Sequence, residues 1–454
     1  MSLKFYNTLS HSKEVFKSIK KGQVGMYTCG PTVYWNQHIG NLRTYIFSDV
    51  LKRVLTYKKY KVNHVINITD VGHLTSDADT GEDKMEQAVK REGKNAKDIA
   101  NYYFNIFKKD IEKLNIISPN FWTKATEHIK EQINLIKTLE KKMYTYKTDD
   151  GIYFDTSKLK NYGKLSRQEV KNLKAGKRVS LRDKKHITDF ALWKFSKKGE
   201  KRQQEWKSPW GVGFPGWHLE CSAMSMKYLG EHFDIHTGGI DHIQIHHTNE
   251  IAQSEAATGK KFVNYWLHAG WLLFKGEKVS KSKGGLFTIS ELEEKGFSAL
   301  NFRYLALGTH YKKPLRFTLK NLEAAKNSYK RLKNIISELK DDGKINKKYL
   351  SDFEKVVEDD LNVPEALQVL WKLLRDDKAI GKIETIKEID KVLGLDLLKR
   401  IKVDIPKTIQ KLVKEREKYR KEKEWKKSDQ LRDKIHKLGY SIDDTKGGTI
   451  VKKI

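Results

Sequence analysis

The stretch Val24-Gly25-Met26-Tyr27-Thr28-Cys29, continuing through Gly30-Pro31-Thr32-Val33-Tyr34 to His38-Ile39-Gly40-Asn41, decides the fold. Residues 24–29 have the length and composition of a buried strand, and the run from Leu42 to Tyr60 sets Leu42, Tyr45, Ile46, Val50, Val54 and Leu55 at helical spacing. A further apolar run, Val62 to Thr69, completes a β-α-β start, which implies a parallel sheet. The tetrapeptide therefore lies where a strand feeds a helix N-terminus. Free backbone N–H groups and the helix dipole favour anions there, and Gly40 lets a ligand approach the backbone with no Cβ in the way.

Much later, Lys278-Val279-Ser280-Lys281-Ser282 puts two lysines and two hydroxyls on a segment punctuated by Gly276, Gly284 and Gly285. Such a segment suits a mobile loop that closes over a triphosphate. Alone, the His-x-Gly is an ordinary turn and the Lys/Ser run an ordinary solvated loop. Their order, separation and strand-to-helix context look like the two signatures of the class I aminoacyl-tRNA synthetases, which join an amino acid to tRNA through an aminoacyl-adenylate. Two positions depart from that pattern. Asn41 replaces the usual second histidine, keeping a hydrogen-bond donor without charge, and Val279 replaces a methionine at what should be a packing position.

The chain has two cysteines, Cys29 and Cys221, too few for a disulfide scaffold, and the plain reading is two buried thiols. Their neighbours suggest more. Cys29 ends the first strand, and Cys221 precedes His246-His247-Thr248-Asn249-Glu250, where His246 and Glu250 share a face if the segment is helical. Two thiolates, an imidazole and a carboxylate make a tetrahedral zinc set.

The chain resembles the cysteinyl-tRNA synthetases through Gly30-Pro31-Thr32-Val33-Tyr34, Asn67-Ile68-Thr69-Asp70, Ser208-Pro209-Trp210-Gly211, Gly216-Trp217-His218-Leu219-Glu220-Cys221-Ser222-Ala223-Met224 and Asn249-Glu250-Ile251-Ala252-Gln253. The similarity runs essentially end to end. It implies one Zn2+ per chain on Cys29, Cys221, His246 and Glu250, receiving the thiol of L-cysteine. It implies catalytic roles for His38, Asn41, Lys278 and Lys281, ATP with Mg2+ at Gly40, Gly239, Asp241 and Lys281, and a cysteine pocket shaped by Thr69 and Trp217. Thr248 stands where an acid is frequent in the family, which leaves the surroundings of the metal open. Cysteine and serine differ by one atom, and shape alone separates near-isosteres poorly. Metal softness does better, binding a thiolate more strongly than a hydroxyl, and no segment is left over for an editing domain.

The implied fold is α/β: a Rossmann-like nucleotide-binding domain with a parallel sheet, its halves at 1–116 and 208–298, split by a connective-peptide insertion at 117–207. A stem-contact and helical-bundle region at 299–400 and an anticodon-binding region at 401–454 follow. In the second half Phe233 to His236 reads as a strand leading to Thr237-Gly238-Gly239-Ile240-Asp241, where glycines admit a nucleotide and an acid can hold ribose hydroxyls. Beyond Ala299, Leu322, Tyr329, Leu332, Ile335 and Leu339 among many lysines read as a charged bundle with apolar seams. One strongly charged helix is expected from Val413 to Leu438, carrying Arg420, Trp425 and Asp429, before Asp444 and a Gly447-Gly448 turn. Aromatics among basic residues stack unpaired bases and Asp accepts from base edges, and the resemblance assigns Arg420, Trp425, Asp429 and Asp444 to the anticodon.

The balance of 89 Lys+Arg against 58 Asp+Glu, net +31, suits a polyanion such as cysteine tRNA, although biased codon usage would spread lysines in the same way. Met1 to Lys21 has no long apolar core, and no run approaches the roughly 18 apolar residues of a membrane span. A soluble cytoplasmic protein with no stable protein partner is expected. Two rivals remain: a ligase that passes cysteine to the amine of a small sugar derivative, and a non-catalytic RNA-binding paralogue. The tail argues against the first.

Overall fold

The computed structural model describes residues 2–73, 83–167, 184–196, 199, 202–274, 277–278, 287–399, 406–445 and 448–453. They form two compact units, Met1–Leu398 and Lys399–Ile454.

In the first unit, strands β1 (Gln23–Thr28), β2 (Lys61–Ile68), β3 (Phe121–Lys124), β4 (Phe233–Gly239) and β5 (Val263–Ala269) make one sheet in the order β5-β4-β1-β2-β3. Every pairing is parallel. The middle strands are buried along most of their length, as sheets covered on both faces require. Helix α1 (Ile39–Tyr57) begins three residues before the expected Leu42, because His38 caps it: the imidazole accepts the Asn41 N–H. It ends before Tyr60, where Lys59 turns left-handed with φ 68°.

Strand β3 extends the sheet beyond residue 117. Five antiparallel strands then form a separate sheet, from Thr145–Lys147 to Gly211–Pro215. Leu135, Ile136, Ile152, Phe154 and Trp193 pack it against Leu219 and Ala223 of α2 (Trp217–Leu229) and Ala252 and Ala256 of α3 (His246–Thr258). After β5 come three short strands, β6 (Leu272–Phe274), β7 (Glu277–Lys278) and β8 (Leu315–Phe317), with β6 central. The helices from Ala299–Leu307 to Lys382–Leu393 share one apolar core with α1, through Phe302, Leu322, Leu332, Phe353, Leu370 and Ile389. Among the described residues no helix is long and apolar enough to cross a membrane.

The second unit corrects one expectation. Residues 413–438 are not one helix but parts of two, Lys407–Lys421 and Trp425–Lys437. Lys423 breaks the run by adopting φ 59°, and the N–H of Glu424 turns back to the carbonyl of Tyr419. Arg420 is therefore on a different helix from Trp425 and Asp429. Ile409, Val413, Ile435, Tyr440 and Ile442 form the small core, closed by the hairpin Tyr440–Thr445 and Gly448–Lys453.

Candidate active site and metal centre

From β1 the chain moves outward to β2, and from β4 it moves the other way to β5, so a crevice opens at the carboxyl ends of β1 and β4. A cavity of about 270 Å³ occupies it, and Cys29, His38, Gly40, Asn41, Thr69, Trp217, Cys221, Gly239, Asp241 and His246 all line it.

At this crevice Cys29 leaves β1, Cys221 lies one turn into α2, and His246 stands on α3 one turn before the fully buried Glu250. One donor atom from each of the four lies within 4.8 Å of the others, and all four residues are buried. His246 Nε2 is 3.1 Å from Glu250 Oε1, as the helical spacing demands. Hydrogen bonding from Cys29 holds the Cys221 thiol down to about 6, while burial pushes Cys29 up. Burial opposes both partners on α3 but loses: His236 and His246 hold Glu250 down to about 2, and hydrogen bonds to Cys221 and Glu250 raise His246 to about 10. Cys221 and Glu250 are thus held anionic beside one imidazolium, while Cys29 keeps its proton. A divalent cation in place of those protons meets sulfur, nitrogen and carboxylate donors, a set suited to a borderline-soft metal.

Sequence reasoning missed the histidines behind this cluster. His247 Nε2 lies 3.2 Å from Cys29 Sγ and His236 Nε2 3.0 Å from Glu250 Oε2, so Cys29, His236, His247 and Glu250 form a second, overlapping donor set. His247 Nδ1 pairs with His268 Nε2 at 2.7 Å, and His268 Nδ1 with Thr8 Oγ1 at 2.8 Å. These partners orient Cys29 and Glu250 from the sheet side. The available signal was the placement of His236 and His268 on neighbouring parallel strands. Thr248 does not face the donors; its hydroxyl donates to the Ile243 carbonyl at 2.7 Å.

Beside the cluster, Asn67 donates to Thr69 Oγ1 at 3.0 Å and accepts the Gly30 N–H at 2.7 Å. A Cβ on residue 30 would lie 1.5 Å from the Asn67 carbonyl oxygen, so only glycine allows this approach. The Trp217 ring lies 4.5 Å from that of His246.

On the opposite flank, a Cβ on residue 40 would come within 2.9 Å of His38 Nδ1, so Gly40 leaves room for the imidazole to fold over the helix start. His38 Nδ1 accepts the Asn41 N–H at 3.3 Å, which assigns its proton to Nε2. The Lys278 backbone lies in β7; its side chain, and Lys281 with the rest of 279–286, lie outside the described residues. The segment resumes at Phe287, whose carbonyl accepts the Ile39 N–H at 2.8 Å.

In the second unit Arg420 Nη1 is 2.5 Å from Asp444 Oδ2. Arg416, which the sequence did not single out, is buried and forms a bidentate pair with Asp444 at 2.9 and 2.7 Å. Those bonds hold the Asp444 carboxyl down to about 2. Trp425 is 58% exposed and opens the second helix, with Asp429 exposed one turn on.

Residues 15–327 match the model of the class I (C) tRNA synthetase catalytic domain, and 402–451 that of the cysteinyl-tRNA ligase anticodon binding domain. A cysteine–tRNA ligase of Burkholderia lata is 49% identical over 99% of this chain and 96% of its own length, and one of Treponema denticola is 44% identical over 100% of both. A solved methionyl-tRNA synthetase of Mycobacterium tuberculosis, in complex with methionyl-adenylate, shares the fold at TM-score 0.55 and 14% identity, covering 82% of this chain and 90% of that one. With two thirds of its length in the catalytic model, its tail in the anticodon model and full-length relatives near half identity, this chain belongs to the cysteinyl-tRNA synthetases of class I.

Proposed function

We propose that this chain activates L-cysteine with ATP to cysteinyl-adenylate, releasing pyrophosphate, and passes cysteine to the 3′ end of cysteine tRNA, with Zn2+ selecting the substrate thiol. One observation carries this reading: the four buried donors Cys29, Cys221, His246 and Glu250 gather in one cluster, and three of them, Cys29, Cys221 and His246, line the cavity that His38 and Asn41 also line. When bound, zinc supplies a soft Lewis acid that takes a thiolate in preference to a serine hydroxyl.

The chain's own groups do the rest. Thr69 and Trp217 border the cysteine side chain and point its carboxylate towards the other flank. That oxygen attacks the α-phosphorus of Mg2+-bound ATP, forming one P–O bond as the bond to pyrophosphate breaks. His38 Nε2–H, the Asn41 side chain and the start of α1 donate to phosphate oxygens as charge develops, and Lys278 and Lys281 add positive charge. Gly239 admits the nucleotide and Asp241 accepts from ribose hydroxyls. In the second step the terminal ribose hydroxyl of tRNA attacks the adenylate carbonyl and AMP leaves. Arg420, Trp425, Asp429 and Asp444 read the anticodon, and the net charge of +31 draws the tRNA in. The reading places the protein in the cytoplasm, beside the ribosomes it supplies.

ATP–pyrophosphate exchange that requires cysteine tests the first step, because a binding protein cannot perform it. Charging of tRNA rather than of an amino-sugar tests the second. No exchange with zinc-loaded protein would dismantle the proposal.

A further inference from the structure

Arg43 lies on α1 just beyond Asn41, and its guanidinium is buried, 3% exposed, where two backbone segments converge. Nη1 donates to the carbonyls of Gly270 and Trp271, each at 2.6 Å. Nη2 donates to the Lys313 carbonyl at 2.5 Å and reaches those of Tyr311 and His310 at 3.4 and 3.5 Å. No carboxylate is among these partners. The acceptors belong to 270–271, which leads into β6, and to 310–313, which leads into β8. Gly270 N–H also bonds the Tyr311 carbonyl at 2.7 Å, and Leu315 N–H that of Trp271 at 2.8 Å. A Cβ on residue 270 would lie 2.6 Å from the Lys312 oxygen and 2.9 Å from that of Lys313, so the joint closes only on glycine. Burial lowers Arg43 to about 10, which leaves it cationic at neutral pH.

We propose that Arg43 is a positioning residue for adenylate formation: its guanidinium fixes the cavity wall Gly270–Leu272, and the β6–β7 hairpin carrying the Lys278 backbone, against the helix that presents His38 and Asn41. The inference rests on the activation chemistry proposed above. Several buried carbonyl oxygens pointing at one spot need donors, and a planar guanidinium serves both segments at once where an ammonium cannot match the fork. Removing it leaves those oxygens facing each other, and the wall moves off α1 to find water. Phosphoryl chemistry between His38 and the Lys278 hairpin then loses its alignment. The cysteine side is spared, because Cys29, Thr69, Trp217, Cys221 and His246 stand on segments that Arg43 does not bond. A loss confined to turnover separates this role from general support of the fold.

The experiment uses the full chain with zinc, as wild type, Arg43→Ala and Arg43→Lys. Cysteine-dependent exchange, metal content and amide hydrogen exchange are measured on each. Arg43→Ala should lower kcat on the order of 100-fold, the cost of misplacing reacting groups by about an ångström, while cysteine KM and zinc content hold. Millimolar methylguanidine should restore part of that turnover, and should do nothing for Arg43→Lys. Amides of 270–274 and 311–315 should exchange faster while those of β1 and β2 keep their protection. Unchanged kcat in a folded Arg43→Ala, or a kcat loss matched by a rise in cysteine KM and a loss of zinc, overturns the proposal. Should Arg43→Ala fail to fold, Arg43→Lys decides: lowered kcat with unchanged cysteine KM upholds it and unaltered kcat refutes it. If the wild type shows no exchange, the activity reading falls separately, and faster amide exchange confined to 270–274 and 311–315, or its absence, still decides whether Arg43 sets this wall.

Discussion

Arg303 Nη2 stands 2.6 Å from Asp49 Oδ2, with both side chains fully buried. Arg53 Nε reaches the same oxygen at 2.7 Å, and the Ile117 N–H takes the other at 2.8 Å. The remaining guanidinium donors go to the carbonyls of Leu114, Asn115, Lys391 and Leu393. One carboxylate on α1 therefore ties the catalytic helix to the turn before β3 and to the end of the helix Lys382–Leu393. Gly394, at φ 60°, completes the joint, since a Cβ there would sit 2.6 Å from Arg303 Nη2.

Asp49→Asn removes the one carboxylate that both buried guanidiniums bond. Breaking one member of such a cluster costs about 3–5 kcal/mol. The pair Lys13–Asp359 is the control, because its side chains are 46% and 54% exposed and exposed pairs contribute under about 1 kcal/mol. Urea unfolding of Asp49→Asn and Lys13→Ala should show a large shift for the first and almost none for the second. Equal shifts would mean that the buried cluster adds nothing beyond a surface pair.

Asp110 gives stability a pH signature. Burial pushes its carboxyl from the ordinary 3.8 to about 7, with Lys113 opposing and Glu293 adding to the rise. A raised carboxyl pKa means that the folded state holds a proton that the unfolded state has already lost. Stability from this group therefore falls as pH climbs from 3.8 to about 7, and the full penalty persists above. Asp110→Asn keeps the neutral shape, so it should nearly match wild type at pH 4 and be more stable at pH 8 by up to about 4 kcal/mol. Thermal melts at the two pH values measure this; a gain of the same size at both would exclude a titrating Asp110 as its cause.

The metal proposal makes a stoichiometric demand. Purified protein should carry about one zinc per chain, and Cys221→Ser should lose most of it along with discrimination of cysteine from serine in pyrophosphate exchange. Elemental analysis and paired exchange assays suffice. Full zinc occupancy in Cys221→Ser would hand the site to the overlapping set Cys29, His236, His247 and Glu250.

Local pattern made part of this legible. The apolar runs that became β1, α1 and β2 announce their periods, and His246 and Glu250 at i and i+4 needed only helical geometry to meet. The carbonyl joint around Arg43 joins residues more than two hundred positions apart, and such a pairing leaves no periodic trace. Nor does the break at Lys423, since charged residues surround it on both sides and the left-handed residue is a lysine rather than a glycine. Strand β3 is only four residues long and largely unburied, so its place in the sheet rests on pairing with β2 rather than on its own composition.

That break changes the test of the tail. Arg420 is engaged with Asp444, on the helix before the break, whereas Trp425 is exposed at the start of the next helix, one turn from Asp429. Trp425 is thus the residue of the four best placed to stack on an unpaired base, and such stacking is worth roughly 1–3 kcal/mol. Trp425→Ala should lower kcat/KM for charging cysteine tRNA by about one to two orders of magnitude and leave pyrophosphate exchange intact. Exposure also predicts that folding is spared, because the tail's core is built from Ile409, Val413, Ile435, Tyr440 and Ile442. Asp444→Asn should behave differently, since it unpairs the buried Arg416 and loosens the hairpin, lowering both tail stability and charging. Charging kinetics on native tRNA and on a transcript with an altered anticodon, alongside thermal melts, separate the two. A Trp425→Ala protein that melts early, or that keeps full preference for the native anticodon, would move recognition away from this ring.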